Sequence, residues 1–357
     1  MVEYIFVLGR NTELSILELV SYLKKEGFSA EIKSIDRMIP LELQGFKEQK
    51  AIAHLGGVMK IGKEITNENE IYTGTKNKIN FAINHYKSDP LQAEQKLAKM
   101  FAALDVKAMH KFVKSKIIIP QKTKHLDVEV IAYREKLYLV VATSNPKSYG
   151  QRDESRPAFD ALRAISIRLA KILINLAQPK KEVFDPFCGT GTILQEALLM
   201  GYKAKGSDKQ VQDARKNLSW LEKQYPAAKG EWQITHADAT KLSQTIQAVE
   251  CVVTEPYLGP FFKRPPAYAE AQKITSQLEI LYLKTLQELR KIVTGKIVIL
   301  FPAFLTRERK KIQPDINVIL QKAGFKISSP TGLISLPLRY DEKRNNVERY
   351  LYVLEKR

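Results

Sequence analysis

At 357 residues, 44% of them hydrophobic and 27% charged, the chain is too long for one ordinary core and too apolar for wholesale disorder or a fibrous repeat. Lys and Arg outnumber Asp and Glu 57 to 39, a formal charge of +18, and residues 1–50 hold 7 basic against 8 acidic side chains, so the surplus lies beyond them. Such a charge suits a polyanionic partner, nucleic acid or an acidic membrane surface, although a generally Lys-rich proteome produces the same figure. Cys188 and Cys251 are the two cysteines, too few for a disulfide framework, and they imply a reducing compartment. The first residues lack a basic start followed by an apolar stretch, and no apolar run reaches membrane-spanning length. The expectation is a soluble, cytoplasmic protein with no membrane partner.

In chain order, Tyr4 to Leu8 reads as a strand, and Thr12 can cap a helix whose Leu14, Leu17, Val20 and Leu23 recur at helical spacing. A helix near Leu91 to Leu104, a basic stretch from Lys107 to Lys124, and strands Leu126 to Tyr133 and Lys136 to Thr143 follow without regular alternation, which predicts α+β. Residues 144–160, rich in charge, Pro and Gly, read as a linker. From Leu162 the pattern alternates. It runs helix to Ala177, strand Glu182 to Phe184, helix from Thr192, strand Ala204 to Ser207, helix Gln210 to Lys223, strands Glu231 to Thr235 and Val249 to Thr254. A long helix Ala271 to Val293, strand Lys296 to Phe301, helix Arg307 to Ala323, and strands Lys326 to Ser329 and Val347 to Leu354 complete it. The fold class predicted is α/β, a mainly parallel doubly wound sheet preceded by an α+β region. The last two strands lack a helix between them, so the final one should insert antiparallel.

The strongest chemical signal is the run Asp185, Pro186, Phe187, Cys188, Gly189, Thr190, Gly191, Thr192 between a strand and a helix. Such a turn lets backbone approach a ligand and aims helix N-terminal amides at it. Leu194 stands where a dinucleotide fingerprint needs its third glycine, and no Lys follows as a phosphate loop requires. The acidic residue before the turn suits a cofactor with a cationic amino group, which favours S-adenosyl-L-methionine. Asp208 could accept both ribose hydroxyls, and Asp238, followed by Ala239, the adenine amine. Alone, each aspartate reads first as a helix cap or turn residue; at the ends of consecutive strands behind a glycine turn they support one another. The fourth strand ends in Glu255, Pro256 and Tyr257. A carboxylate, a proline and an aromatic here match how amine-methylating enzymes hold a base, by accepting its amino hydrogens and stacking on its face, while a plain strand followed by a proline turn explains the same residues. The five histidines show no metal-ligand spacing, and no metal is predicted.

Residues 144–260 resemble the archaeal and eukaryotic tRNA guanine-10 methyltransferases that join a THUMP domain to a Rossmann-like class I catalytic domain. The resemblance rests on Tyr149, Arg152, Asp153, Arg156, Pro157 and Asp160, on Leu169 with Ala170, on Ile174 to Ala177, on the run from Asp185 to Tyr202 and on Gly206 to Asp208. The opening Phe6 to Asn11 with Glu13 to Ser15 is similar to that family's N-terminal segment. The resemblance implies an N-terminal segment over 1–60, a THUMP-like RNA-binding domain over 61–145, a linker over 146–165 and a methyltransferase domain over 166–357. It further implies that Asp185 to Thr192, Asp208, Asp238 and Ala239 hold the cofactor, that Glu255, Pro256 and Tyr257 hold a guanine exocyclic amine, and that tRNA is the partner. Lys107, Lys111, Lys114 and Lys116, with Lys122 and Lys124 after them, form a basic strip that could track phosphates in the THUMP-like region or be a solvated face; Arg339, Lys343 and Arg344 form a second cluster. The family reads Asp-Pro-Pro-Tyr where this chain reads Glu255 to Leu258. Glu255 takes the aspartate's place, which keeps a carboxylate there and aligns Gly259; the alternative puts Thr254 there with Tyr257 in register. Two other functions fit the residues: methylation of another RNA amine, in ribosomal RNA or on adenine, and an RNA-binding protein that has lost turnover.

Overall fold

The computed structural model describes residues 1–111, 125–159, 165–228, 230–340 and 347–357. The chain divides into two compact units, Met1–Ile16 with Gly27–Gln151, and Leu17–Glu26 with Arg152–Arg357. The division runs through one helix.

The first unit is built on a seven-stranded sheet. Its strands are β1 (Val2–Leu8), β2 (Met38–Leu43), β3 (Val58–Glu64), β4 (Lys78–Tyr86), β5 (Lys107–His110), β6 (Val128–Tyr133) and β7 (Lys136–Thr143), in the order β2-β1-β3-β7-β6-β4-β5. The pairs from β2 to β6 are antiparallel, whereas β4 pairs with β6 and with β5 in parallel. Helices α1 (Thr12–Lys25), α2 (Glu48–His54) and α3 (Pro90–Ala103) accompany these strands in the chain. The apolar residues of α3, Ala93, Leu97 and Phe101, pack with Ile79, Ile83, Val128 and Val130 in one core. Both strands expected at the end of this unit form, and so does α3, capped by Asp89, whose carboxylate accepts from the Leu91 N–H at 3.0 Å. Strand β3 runs through position 60, where a boundary between two N-terminal segments was expected, and joins both in a single sheet. The expected linker likewise holds a helix, α4 (Pro146–Ser155). Pro146 sits at its first position, where a missing N–H costs nothing, and Asn145 precedes it as a cap that accepts from the Ser148 N–H.

The second unit alternates as the sequence predicts. Its helices are α5 (Ile167–Ala177), α6 (Thr192–Leu199), α7 (Gln212–Gln224), α8 (Tyr268–Ile292) and α9 (Ile316–Ala323). Its strands are β8 (Glu182–Asp185), β9 (Lys203–Asp208), β10 (Trp232–His236), β11 (Val252–Thr254), β12 (Ile297–Leu305), β13 (Lys311–Ile312), β14 (Phe325–Ile327), β15 (Leu338–Tyr340) and β16 (Val347–Lys356). The main order is β10-β9-β8-β11-β12-β16-β14, parallel from β10 to β12. The final strand inserts antiparallel between β12 and β14, as expected from the missing helix. Eight of the nine residues of β12 are buried, the continuous apolar run of a central strand covered on both faces.

Two features of this unit depart from the expectation. The helix expected over Arg307 to Ala323 begins only at Ile316. Arg309 takes a left-handed conformation at φ 57°, the chain turns back so that β13 pairs with the end of β12, and Pro314 forces the preceding residue out of the helical region. Asp315 then caps α9 by accepting from the Val318 N–H at 3.1 Å. The second departure is the far half of α1, which belongs to this unit: Glu18, fully buried, accepts from Asn175 Nδ2 at 2.8 Å, and Gln178 donates to the Ser21 carbonyl at 3.0 Å. A helix pattern read for its apolar stripe gives no sign of a buried glutamate on another face.

Candidate active site

The glycine turn follows β8 and opens α6, at the carboxyl end of the parallel sheet. Gly189 adopts φ 50° with open space where a side chain would stand, and Gly191 adopts φ 81° as the residue before the helix. Beneath the turn, a Cβ on Gly206 of β9 would meet Leu194 Cδ1 at 2.5 Å and Cys188 Cβ at 3.1 Å, so the strand can pass this close to the turn only without a side chain. Pro186, Cys188, Gly191 and Thr192 are buried, Phe187 and Thr190 half-buried, and Gly189 exposed.

Asp185, the last residue of β8, is 2% exposed. Its Oδ1 accepts from the Thr254 hydroxyl at 2.7 Å and from the Phe187 N–H at 3.0 Å, and no described cation pairs with it. Burial pushes its carboxyl up to about 7, against the lowering effect of those two donors, and Asp208 and Glu255 repel its charge further. Carboxylates leaving β9 and β11 therefore bear on the buried one that ends β8. Asp208 spans the turn: its Oδ2 accepts from the Gly189 N–H and its Oδ1 from the Gln210 N–H, each at 2.9 Å. Each oxygen keeps a lone pair for a further donor. On the next strand, His236 lies in register with Asp208. Two residues on, Asp238 caps a short 3-10 turn, accepting from the Thr240 N–H and hydroxyl at 2.9 and 2.8 Å, and pairs with Lys209 at 3.1 Å. These contacts hold its carboxyl down at about 2, the Thr240 amide first among them. Ala239 is buried behind it.

Thr254, Glu255, Pro256 and Tyr257 leave β11 beside this cluster. Pro256 is buried and Tyr257 is 56% exposed, its carbonyl accepting from the Tyr282 hydroxyl at 2.7 Å. Glu255 Oε1 lies 2.8 Å from Arg349 Nε, both side chains nearly buried at 11% and 7% exposure. The chain thus uses Thr254 to hold Asp185 and Glu255 to meet a cation on β16. Sequence reasoning missed Arg349, although a readable signal exists. It is an arginine at an inward-facing place of the alternating strand Val347 to Lys356.

The turn is braced by residues of the segment that carried the family resemblance. Arg152 donates to Glu196 of α6, fully buried, and Arg156 donates to the Thr192 hydroxyl at 2.7 Å. Asn217 of α7, which no local pattern singles out, donates from Nδ2 to the carbonyls of Thr190 and Ala158 at 2.8 and 2.7 Å, and accepts from the Ala158 N–H. The predicted nucleic-acid residues scatter by comparison. Lys107 on edge strand β5 and Lys111 after it are exposed, and Arg339 on β15 pairs with Glu348 at 3.0 Å. Lys114, Lys116, Lys122, Lys124, Lys343 and Arg344 lie outside the described residues, as does Asp160. Among the described residues no group of His, Cys, Asp or Glu could hold a metal, and no helix is long and apolar enough to cross a membrane.

A buried carboxylate with only neutral donors, a second carboxylate across an open glycine turn and a third at the next strand end fit a ligand carrying an ammonium and a ribose diol. The parallel sheet with its antiparallel inserted strand, together with this turn, is the Rossmann-like α/β arrangement expected from the sequence. Residues 155–311 match the family model described as UPF0020: RMKL-like, methyltransferase domain. Over 216 residues, 59% of this chain, it is 26% identical to a tRNA (guanine(10)-N2)-dimethyltransferase of Pyrococcus abyssi, and over 113 residues, 30% of the chain, 34% identical to the enzyme of that name from Methanothermobacter thermautotrophicus. The matched stretches span 56% and 31% of those relatives. The family expected from the sequence is the one these relatives carry. The solved structure of TrmN from Thermus thermophilus aligns with a TM-score of 0.49 at 15% identity, covering 99% of this chain and all of that one.

Proposed function

We propose that the chain is an S-adenosyl-L-methionine-dependent methyltransferase acting on the exocyclic N2 amine of a guanine in tRNA, guanine 10 by likeness to the relatives named above. The observation that carries this reading is the buried Asp185 carboxylate under the glycine turn, unpaired with any cation among the described residues, with Asp208 and Glu255 close enough to act on it. Bound there, the cofactor supplies an electrophilic methyl group on a sulfonium. Asp185 would face the ammonium, Asp208 would accept from the ribose hydroxyls, and Asp238 with the buried Ala239 would flank the adenine. Tyr257, the exposed aromatic, would stack on the target base while Glu255 and Pro256 orient its amine, so that the nitrogen lone pair rather than an N–H faces the methyl. An exocyclic amine needs no strong base before attack; its proton is lost afterwards to solvent. The N-terminal unit, THUMP-like by resemblance over 61–145, would grip the tRNA with Lys107 and Lys111, and a cytoplasmic tRNA pool is the setting this reading implies. Among the expected boundaries, the methyltransferase domain over 166–357 is extended in this proposal back to Arg152 and by the far half of α1.

The test is mass spectrometry of nucleosides from unmodified tRNA incubated with the protein and labelled S-adenosylmethionine. Labelled N2-methylguanosine or its dimethyl form is expected. A label found only in adenosine or only in ribosomal RNA replaces the substrate, and no label in any RNA favours the second reading. That second reading, an RNA-binding protein without turnover, has one observation behind it: Glu255 already meets Arg349, and Thr254 meets Asp185, so both carboxylate-position candidates are engaged.

A further inference from the structure

Beyond the reacting pocket, the chain leaving β11 and the turn leaving β12 are locked together. Both start at the carboxyl end of the sheet, on neighbouring parallel strands with Thr254 in register with Ile299. Arg307 donates its backbone N–H to the Pro266 carbonyl at 2.9 Å and its Nε to the Pro265 carbonyl at 3.0 Å. Lys310 Nζ sits 5.3 Å from the centre of the Tyr268 ring. Underneath, Phe262 packs edge-on against Phe304 at 6.0 Å, and Gly259, at φ 98°, lies where a side chain would meet Phe304 at 3.1 Å. The loop is therefore a built surface rather than a loose tail, and its prolines and buried aromatics fix which side chains face out.

Most of those that face out are aromatic or cationic, with Glu308 the one acidic side chain of the two segments. Phe261 is 44% exposed and Tyr268 41% exposed, and Lys263, Arg264, Arg309 and Lys310 stand exposed around them. Both rings leave apolar faces in water, and cations stand exposed on both segments, Lys310 against the Tyr268 ring itself. Flat rings interleaved with guanidinium and ammonium groups are how proteins hold single-stranded nucleic acid: the rings stack on unpaired bases and the cations meet phosphates between them. An acidic peptide would match the charges but leave both rings unused.

We propose that the segments 257–268 and 305–311 form a docking surface for single-stranded RNA next to the target nucleotide, with Phe261 and Tyr268 as stacking platforms. The inference rests on the methyltransferase reading for its choice of RNA, and adds that the catalytic unit itself binds unpaired substrate flanking the base. The experiment uses the full chain and fluorescein-labelled oligoribonucleotides, one single-stranded and one duplex of the same sequence, over a salt series. A variant with Lys263→Gln, Arg264→Gln, Arg309→Gln and Lys310→Gln is expected to lose at least about tenfold in single-strand affinity and to flatten the salt dependence by up to about 3 in log-log slope, since each single-strand phosphate contact contributes about 0.7. Phe261→Ser is expected to lose about fivefold or more for the single strand and almost nothing for the duplex, where no base face is free. Thermal melting and S-adenosylmethionine affinity, both expected at parental values, separate these losses from misfolding. If the parent binds RNA and the variants bind it with the same affinity and slope, the surface is not the one that docks RNA. If the charge variant loses only binding to anionic lipid vesicles, the occupant is a membrane and the inference fails. A parent that binds neither oligonucleotide nor tRNA overturns the RNA part of the proposed function as well.

Discussion

Each sheet buries a charged group, Glu129 in one and Asp185 in the other, and the two are handled in opposite ways. In the N-terminal sheet Lys60 and Glu129, 1% and 7% exposed, pair directly, and Asn84 donates a further hydrogen bond to the glutamate at 3.3 Å. Burial pushes the lysine down and the glutamate up, and each opposes the shift of the other. In the C-terminal sheet Asp185 is as deeply buried, yet among the described residues it receives only a hydroxyl and an amide. A charge neutralised by its own sheet fixes strand arrangement; a carboxylate left with neutral donors, at the open end of strands, keeps its affinity for a cation brought from outside. The surrounding chain tells the two apart.

The largest effect expected from breaking this contrast is at the closed pair. Lys60→Met leaves Glu129 buried and uncompensated, and should cost about 3 to 5 kcal/mol in urea unfolding, with most of it restored by adding Glu129→Leu. The open carboxylate should behave in reverse. Its folded pKa of about 7 lies above its unfolded value near 3.8, so its contribution is fully present below pH 4 and lost as pH rises through 7. At pH 8 Asp185→Asn should therefore stabilise the ligand-free protein by up to a few kcal/mol, and calorimetry should show its affinity for S-adenosylmethionine gone. A variant that is less stable than the parent at pH 8 would show that the carboxylate is paired after all. In the parent, the same linkage predicts that cofactor affinity weakens toward tenfold per pH unit below about 7, because the ammonium needs the ionised form.

Asn217→Ala tests the brace beside that carboxylate: removing three hydrogen bonds, with the Thr190 and Ala158 groups left in place, should cost about 1 to 3 kcal/mol and weaken cofactor binding through the turn. The smallest effect belongs to Asp238. Its carboxyl is held at about 2, so its contribution is present above pH 4 and lost as pH falls toward 2, but its side chain is 36% exposed. Asp238→Asn should change stability at neutral pH by less than about 1 kcal/mol.

Much of this was readable before any coordinates. The alternation of strands and helices after residue 165 is a local pattern of period 2 and 3.6, and the missing helix before Val347 fixed the antiparallel insertion. The turn from Asp185 to Thr192 was legible because glycines at φ 50° and 81° leave a composition signature. The seven-stranded first sheet was half hidden. Its β3 and β4 carry Lys60 and Asn84 at buried places, and β2 holds Pro40 in its middle, which spoils the alternation that reveals a strand. The helix expected from Arg307 failed because the turn at Arg309 is stabilised by pairing with β12, a contact that spacing does not encode.

The sequence by itself determined the class of fold, the position of the glycine turn and the set of acidic residues behind it, since each is written in residues close together in the chain. Which carboxylate is spent and which is left open was decided only by the tertiary structure. Asp185 meets Thr254 across 69 positions, and Glu255 meets Arg349 from a strand that enters the sheet last. Ionisation of a buried group depends on its nearest charges in space, and folding alone brings those together.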